Sequence, residues 1–275
     1  MEKKKIFKSA PLPFMGQKRK FLKQFEIALK EYSPTATYVD LFGGSGLLSH
    51  NVKSIYPHAT VIYNDFDNYK ERLENIDRTN LLLSRLRHIL RACAPEKKIS
   101  GLERTNVLNC IKKAQYDGYV DFITLSSNLL FSMKYVQSYE QLEKETLYNC
   151  LRKSDYFADG YLKGIEVTSK CYKELFSKYK DFHNVIFLVD PPYLSTESGT
   201  YKNFWKLRDY LDVLNVLDDT KYFYFTSNKS SIIELCEWIE TKTPLSNPFN
   251  GAYTEKMQTT INYSSSYTDI MIYKK

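Results

Sequence analysis

The stretch Tyr38-Val39-Asp40-Leu41-Phe42-Gly43-Gly44-Ser45-Gly46 decides the fold. A short apolar run closes on a carboxylate and breaks at once into glycines, the way a buried strand turns sharply into a helix. Leu47 to Ile55 carries that helix, which stops before Pro57. Thr60–Tyr63, β-branched and aromatic, reads as the next strand and ends in Asn64-Asp65-Phe66-Asp67. Together these elements make one βαβ unit.

Further along, Asn184–Val189 is a second buried-strand signal, terminated by Asp190-Pro191-Pro192-Tyr193. Tyr222–Thr226 gives a third, ending at Ser227-Asn228, and Ser230–Thr241 a helix halted before Pro244. Thr259–Tyr263 and Thr268–Tyr273, around Ser264-Ser265-Ser266, predict an antiparallel hairpin. Residues 67–180 differ: Leu81-Leu82-Leu83, Leu86 and Leu90 fall at helical spacing, and no parallel-strand run is evident. The expected fold class is α/β, Rossmann-like, with a mostly parallel sheet, a C-terminal antiparallel hairpin and a helical insert. On this reading residues 1–66 and 181–275 form one domain and 67–180 the insert. No internal repeat is evident, and Lys3–Lys5 is the one low-complexity run.

With 43% hydrophobic and 26% charged residues, the 275-residue chain is neither disordered nor too small for a full core. No apolar run approaches the ~20 residues of a membrane helix. The basic N-terminus lacks the apolar segment of a secretory signal. The five cysteines are scattered without a C-x-x-C, and His50, His58, His88 and His183 show no ligand spacing, so disulfides and a metal site are not expected. The net charge is +7, and residues 1–30 hold nine Lys/Arg against two acids. That excess suits a polyanion, and equally a solvated lysine-rich surface. In the insert, Arg85, Arg87, Arg91, Lys112-Lys113 and Arg152-Lys153 are available for phosphates without any one standing out.

Glycines after a strand let a ligand approach the backbone, and the following helix offers free N–H groups. Asp65 ends the next strand, where a carboxylate can accept both hydroxyls of a ribose. The pair points to an adenosine-containing cofactor, although a glycine turn is also a plain connection in many α/β folds. Gly43-Gly44-Ser45-Gly46 lacks the G-x-G-x-x-G spacing of dinucleotide enzymes, and no Gly-Lys-Ser/Thr follows to cradle a triphosphate. S-adenosylmethionine remains, and Asp40 suits its methionyl ammonium.

At the second carboxylate, Pro191 and Pro192 fix φ and donate no hydrogen bond, so the corner is stiff. It aims the Asp190 carboxylate, the Pro191 carbonyl and the Tyr193 ring beyond the strand end, where open α/β sheets bind ligands. Two acceptors and a flat ring suit a conjugated amino nitrogen such as that of adenine. The base has to leave the duplex to reach them. No cysteine stands beside a proline-rich loop, which argues against covalent attack on cytosine C5.

In order, Phe14-Met15-Gly16-Gln17-Lys18, Asp40 to Gly46, Asp65 and Asp190 to Tyr193 resemble the Dam-type N6-adenine DNA methyltransferases, the α-group with the DPPY motif. The resemblance implies an S-adenosylmethionine methyltransferase sheet and methyl transfer to adenine N6 in double-stranded DNA, with S-adenosylhomocysteine as product and no metal. It implies that Asp190, Pro191, Pro192 and Tyr193 are catalytic. It also implies a cofactor pocket of Phe14, Gly16, Lys18, Asp40, Phe42, Gly43, Gly44, Ser45, Gly46, Asp65, Phe66 and Asp190. There Asp65 holds the ribose and Asp190 spans cofactor and base; Ser227-Asn228 resembles a segment near the active site.

Two departures stand out. Phe14 occupies the place of the family's usual Trp. The segment Leu125-Ser126-Ser127-Asn128-Leu129-Leu130-Phe131-Ser132-Met133 does not match the Asn-Arg-Tyr-Gly-x-Asn-Gly-like stretch of GATC-modifying members, which leaves the recognition sequence open. Alternatives are the same scaffold acting on RNA adenine, cytosine N4 or a protein glutamine amide, and a non-catalytic DNA-binding subunit. A Rossmann oxidoreductase is disfavoured by the glycine spacing. A cytoplasmic monomer, bacterial or phage-encoded, is expected.

Overall fold

In a computed structural model, which describes residues 6–131, 134–193, 205–242, 247–262 and 265–275, the apolar run Val185–Val189 is a strand buried along its whole length. That is the state of a strand covered on both faces. It is β4 of the seven strands found among the described residues. The others are β1 (Thr37–Asp40), β2 (Thr60–Asn64), β3 (Glu166–Thr168), β5 (Tyr222–Ser227), β6 (Tyr253–Asn262) and β7 (Ser265–Lys274). They form one sheet in the order β3-β2-β1-β4-β5-β7-β6. The first five run parallel, and β7 is antiparallel to both β5 and β6. The fold is α/β and Rossmann-like, as the sequence predicts.

Side chains alternate between the two faces. Ile186 and Leu188 pack with Tyr38, Tyr63, Phe223 and Phe225 against Phe25 and Leu29 of helix Leu22–Leu29 and Val52 of helix Leu47–Ile55. Phe187 and Val189 pack on the other face with Val39, Ile62 and Tyr224. Leu175 of helix Tyr172–Tyr179 and Val213 and Leu217 of helix Leu207–Leu217 cover them. Each such fully buried side chain stabilises the fold by about 1.5–3 kcal/mol.

The sheet belongs to a compact unit of Met1–Lys8, Lys18–Asp67 and Leu162–Lys275; Ser9–Gln17 and Asn68–Tyr161 form a second unit. The second unit is built from helices Tyr69–Glu74, Ile76–Ile89, Gly101–Tyr116, Phe122–Leu129 and Tyr139–Glu143. Inside it, Arg72 donates from Nε to Asp121 Oδ2 at 3.0 Å and from Nη2 to the Thr124 hydroxyl and the Pro13 carbonyl. Asp121 also caps helix Phe122–Leu129 by accepting the Thr124 N–H at 3.0 Å.

Three details differ from the sequence reading. Residues 67–180 do contain a parallel strand, β3, which pairs with β2. It is only three residues long, with an exposed Glu and half-buried Val and Thr, so it carries no apolar run. Residues 9–17, read with the sheet domain, group instead with the helices, and residues 162–180 group with the sheet. The hairpin extends back to Tyr253 because β6 is a sheet edge, where Thr254, Glu255 and Lys256 stay exposed in a strand without an alternating pattern. Tyr263, Ser264, Pro244, Ser132, Met133 and the Lys3–Lys5 run lie outside the described residues.

Candidate active site

β1 and β4 lie side by side with Asp40 paired to Leu188, and the strand order reverses between them. Open α/β sheets bind ligands beyond the carboxyl ends of their strands at such a switch point. Asp40 is the last residue of β1, and Asp190 follows β4 directly.

Asp40 is 1% exposed. Ser49, from helix Leu47–Ile55, donates its hydroxyl to Asp40 Oδ2 at 2.7 Å, and the Phe42 N–H donates as well. Burial still raises the carboxyl to about 7; the Ser49 bond opposes the rise and the Asp190 charge adds to it. Lys18 brings its Nζ to 2.5 Å from Asp190 Oδ2, with a tenth of the lysine side chain and a fifth of the aspartate side chain accessible. Burial pushes the Asp190 carboxyl up, the Lys18 ammonium draws it back, and Asp269 of β7 pushes it up again. Around the Lys18 ammonium, Asp190 thus raises the proton affinity of Asp40 and Asp269 that of Asp190, and a cationic ligand here would favour the ionised forms of Asp40 and Asp190.

Pro191 is buried and Pro192 half-buried, which sets the stiff corner after β4. Tyr193 follows, with its ring centre 5.5 Å from Lys18 Nζ; the Phe225 ring lies 5.9 Å from the same ammonium. The Tyr193 phenol donates to Asp269 Oδ1 at 3.4 Å, and its carbonyl accepts from the Tyr210 hydroxyl at 3.3 Å.

In the glycine turn, Gly44 and Gly46 have φ of 51° and 70°, a conformation that side chains resist. Gly43 is small for another reason: a Cβ there meets Tyr63 ring carbons at 2.2 Å and the Asn64 carbonyl at 2.8 Å. The Tyr63 hydroxyl lies 2.7 Å from the Gly44 carbonyl and 3.1 Å from Asp65 Oδ1, so one proton ties the turn to the carboxylate. Asp65 is buried, and its N–H donates to the Thr168 carbonyl of β3. Ser45 is buried, Phe66 is exposed, and Phe42 packs on Tyr172 and Trp205 with ring centres 4.9 and 5.7 Å away.

Lys18 therefore joins Asp40, Phe42, Gly43 to Gly46, Asp65, Phe66 and Asp190 to Tyr193 on the sheet unit. Phe14 and Gly16 belong to the second unit, where the Phe14 ring meets Tyr69 edge-on at 5.6 Å and Gly16 has φ of 81°. Tyr69 holds the Leu12 N–H and Arg72 the Pro13 carbonyl, which fixes that segment there. Sequence reasoning missed Ser49, Tyr63, Phe225 and Asp269. For Asp269 a signal existed, since it is the one charged residue in the strand run from Tyr267 to Tyr273.

A family model of the D12 class N6 adenine-specific DNA methyltransferases matches residues 14–243. The chain belongs to this family. A Haemophilus influenzae protein named "Putative methyltransferase" is 41% identical over 283 residues, covering 100% of this chain and 95% of that protein. Among solved structures, a precorrin-6y C5,15-methyltransferase from Geobacter metallireducens aligns over 96% of this chain and 94% of its own, at 8% identity and a TM-score of 0.37. A Haemophilus influenzae protein titled "putative methylase" aligns over 95% of this chain and 90% of its own, at 11% identity and a TM-score of 0.35. The family match and the 41% relative carry the assignment, and the D12-class chain is a methyltransferase. Among the described residues no group of His, Cys, Asp and Glu is placed to hold a metal, and no helix is long and apolar enough to cross a membrane.

Proposed function

We propose that this D12-class methyltransferase transfers a methyl group from S-adenosylmethionine to the N6 amino group of an adenine turned out of duplex DNA. The observation that supports this reading is the Asp190 carboxylate beside Asp40 at the β1/β4 switch point, followed by two prolines and an aromatic ring. The residues present fit the cofactor. Asp65, tied to the glycine turn through Tyr63, suits the ribose hydroxyls, and the exposed Phe66 ring suits the adenine face. The buried Asp40 carboxylate suits the methionyl ammonium, since a cation stabilises the ionised form that burial disfavours. When bound, this cofactor supplies an electrophilic methyl group carried on a sulfonium.

The chain's own groups then act on the base. Asp190 and the Pro191 carbonyl accept the two N–H bonds of the amino group, which frees its lone pair from the ring to meet the methyl carbon. Transfer would break the methyl–sulfur bond and leave S-adenosylhomocysteine as a neutral thioether; the nitrogen would then be cationic, and the Asp190 carboxylate would take its surplus proton. Burial has raised its affinity for one. Tyr193 packs on the base and holds it in line, so orientation and preorganised polarity supply the rate. The net charge of +7 favours a polyanionic substrate.

The test is transfer from labelled S-adenosylmethionine to mixed-sequence duplex DNA, beside RNA and protein, with nucleoside analysis of the product. The expected label is in N6-methyladenine of DNA. Label found only in RNA, in N4-methylcytosine or in protein moves the reading to that substrate.

A further inference from the structure

Asp269 lies on β7 in the run Tyr267-Thr268-Asp269-Ile270-Met271-Ile272-Tyr273, an acid where a strand of this kind calls for a β-branched or aromatic residue. It is paired with Ser227, the last residue of β5, which puts it at the end of the sheet where Asp190 follows β4. A half-buried carboxylate costs desolvation energy unless something uses it. Here its Oδ1 accepts the Tyr193 phenol at 3.4 Å, and its charge reaches Asp190. The backbone of the same tyrosine is held from another direction, by the Tyr210 hydroxyl at 3.3 Å from its carbonyl. A tyrosine ring has two side-chain torsions: holding the phenol oxygen sets the first, and because the phenolic hydrogen keeps to the ring plane, the direction of the Asp269 acceptor favours one tilt about the second.

Resting on the site reading proposed above, we infer that Asp269 is a positioning residue for methyl transfer: it holds the Tyr193 ring, through the phenol, at the tilt on which the target base lies. The target base then meets the methyl donor at the angle in-line transfer needs. Asp269 touches neither of the reacting atoms in this account; its effect passes through Tyr193.

A double-mutant cycle tests this, with Tyr193→Phe, Asp269→Ala and the double variant, and Asp269→Asn as the conservative change. The readouts are kcat and KM for duplex DNA, with the S-adenosylmethionine dissociation constant measured separately. Because a misplaced reactant costs up to about 100-fold in rate, each single variant is expected to lose about ten-fold in kcat with cofactor affinity unchanged. The double variant is expected to lose no more than either single, since both remove the same contact. Asp269→Asn keeps an acceptor oxygen for the phenol and is expected to stay within about three-fold of wild type.

Losses that multiply in the double variant overturn the inference, as does Asp269→Ala at the wild-type rate. Should Asp269→Ala fail to fold, the comparison of Asp269→Asn with Tyr193→Phe decides: a ten-fold loss in the asparagine variant overturns the inference, and near-wild-type turnover beside a slow Tyr193→Phe supports it. A wild-type chain that methylates no DNA overturns the site reading and this inference together. Wild-type methylation with independent losses overturns the inference alone.

Discussion

Each unit of this protein buries a cation against an aspartate, and the two pairs are built differently. Arg72 and Asp121 in the helical unit are 4% and 2% exposed and closed on themselves. The guanidinium also serves Thr124 and the Pro13 carbonyl, and the carboxylate also accepts the Thr124 N–H and hydroxyl. Lys18 and Asp190 in the sheet unit keep 10% and 20% of their side chains accessible. They stand at a strand end, with Asp269 acting against the ionised Asp190 and Asp40 drawn on by Lys18. Burial of charge alone does not mark a site. A pair whose hydrogen-bonding positions are filled within its own unit holds a fold, while one that faces solvent and opposing charge at a sheet switch point is left open to a ligand.

The largest effect expected from this contrast is on stability. Asp121→Ala leaves a buried guanidinium without its carboxylate and should cost about 3–5 kcal/mol, read from denaturant unfolding. An unchanged midpoint would show that the pair is not a keystone of the helical unit. Gly43→Ala comes next: its methyl group enters the space of the Tyr63 ring. The expected cost is about 1–3 kcal/mol, accompanied by weaker cofactor binding because the displaced tyrosine also serves Asp65. Asp190→Ala, by contrast, should change stability by no more than about 1 kcal/mol, because that pair is partly solvated and Asp40 still faces Lys18.

The last expected signal is a proton. The folded Asp40 carboxyl, at about 7, holds its proton more tightly than the ordinary aspartate value of 3.8. Its contribution to stability is therefore fully present below about 3.8 and is lost as pH rises through about 7. Ligand-free protein should lose stability over that range, and Asp40→Asn should flatten the slope. A cationic ligand beside Asp40 draws the carboxyl back down, so cofactor binding near pH 7 should release about half a proton. Calorimetry in two buffers of different ionisation heat reads this directly, and proton uptake would contradict the placement of the cation.

Much of the sheet unit is legible in the sequence because its central strands are unbroken apolar runs that end in marked residues. Asp40, Asp65 and Asp190 each close such a run, and the glycine turn and the Pro-Pro corner name two of the three strand ends. What is not legible depends on distant partners. β3 is a strand only because β2 pairs with it, and Tyr63 matters because its ring fills the place of a Gly43 side chain. Residues 9–17 join the helical unit through Tyr69 and Arg72, some 57–59 positions away, which no local pattern announces. Asp269 reaches Tyr193 across 76 positions through a strand register that turn and pattern signals do not fix.

In the proposed reaction the chemistry happens at Asp190. The direct measurement is the single-turnover rate of N6-methyladenine formation in duplex DNA by Asp190→Ala, with S-adenosylmethionine and DNA both saturating and the fold verified. The predicted result is a rate about 10²–10³ lower than wild type, the loss typical of removing a preorganised polar group that acts on the transition state. A folded variant that methylates adenine at close to the wild-type rate would contradict it.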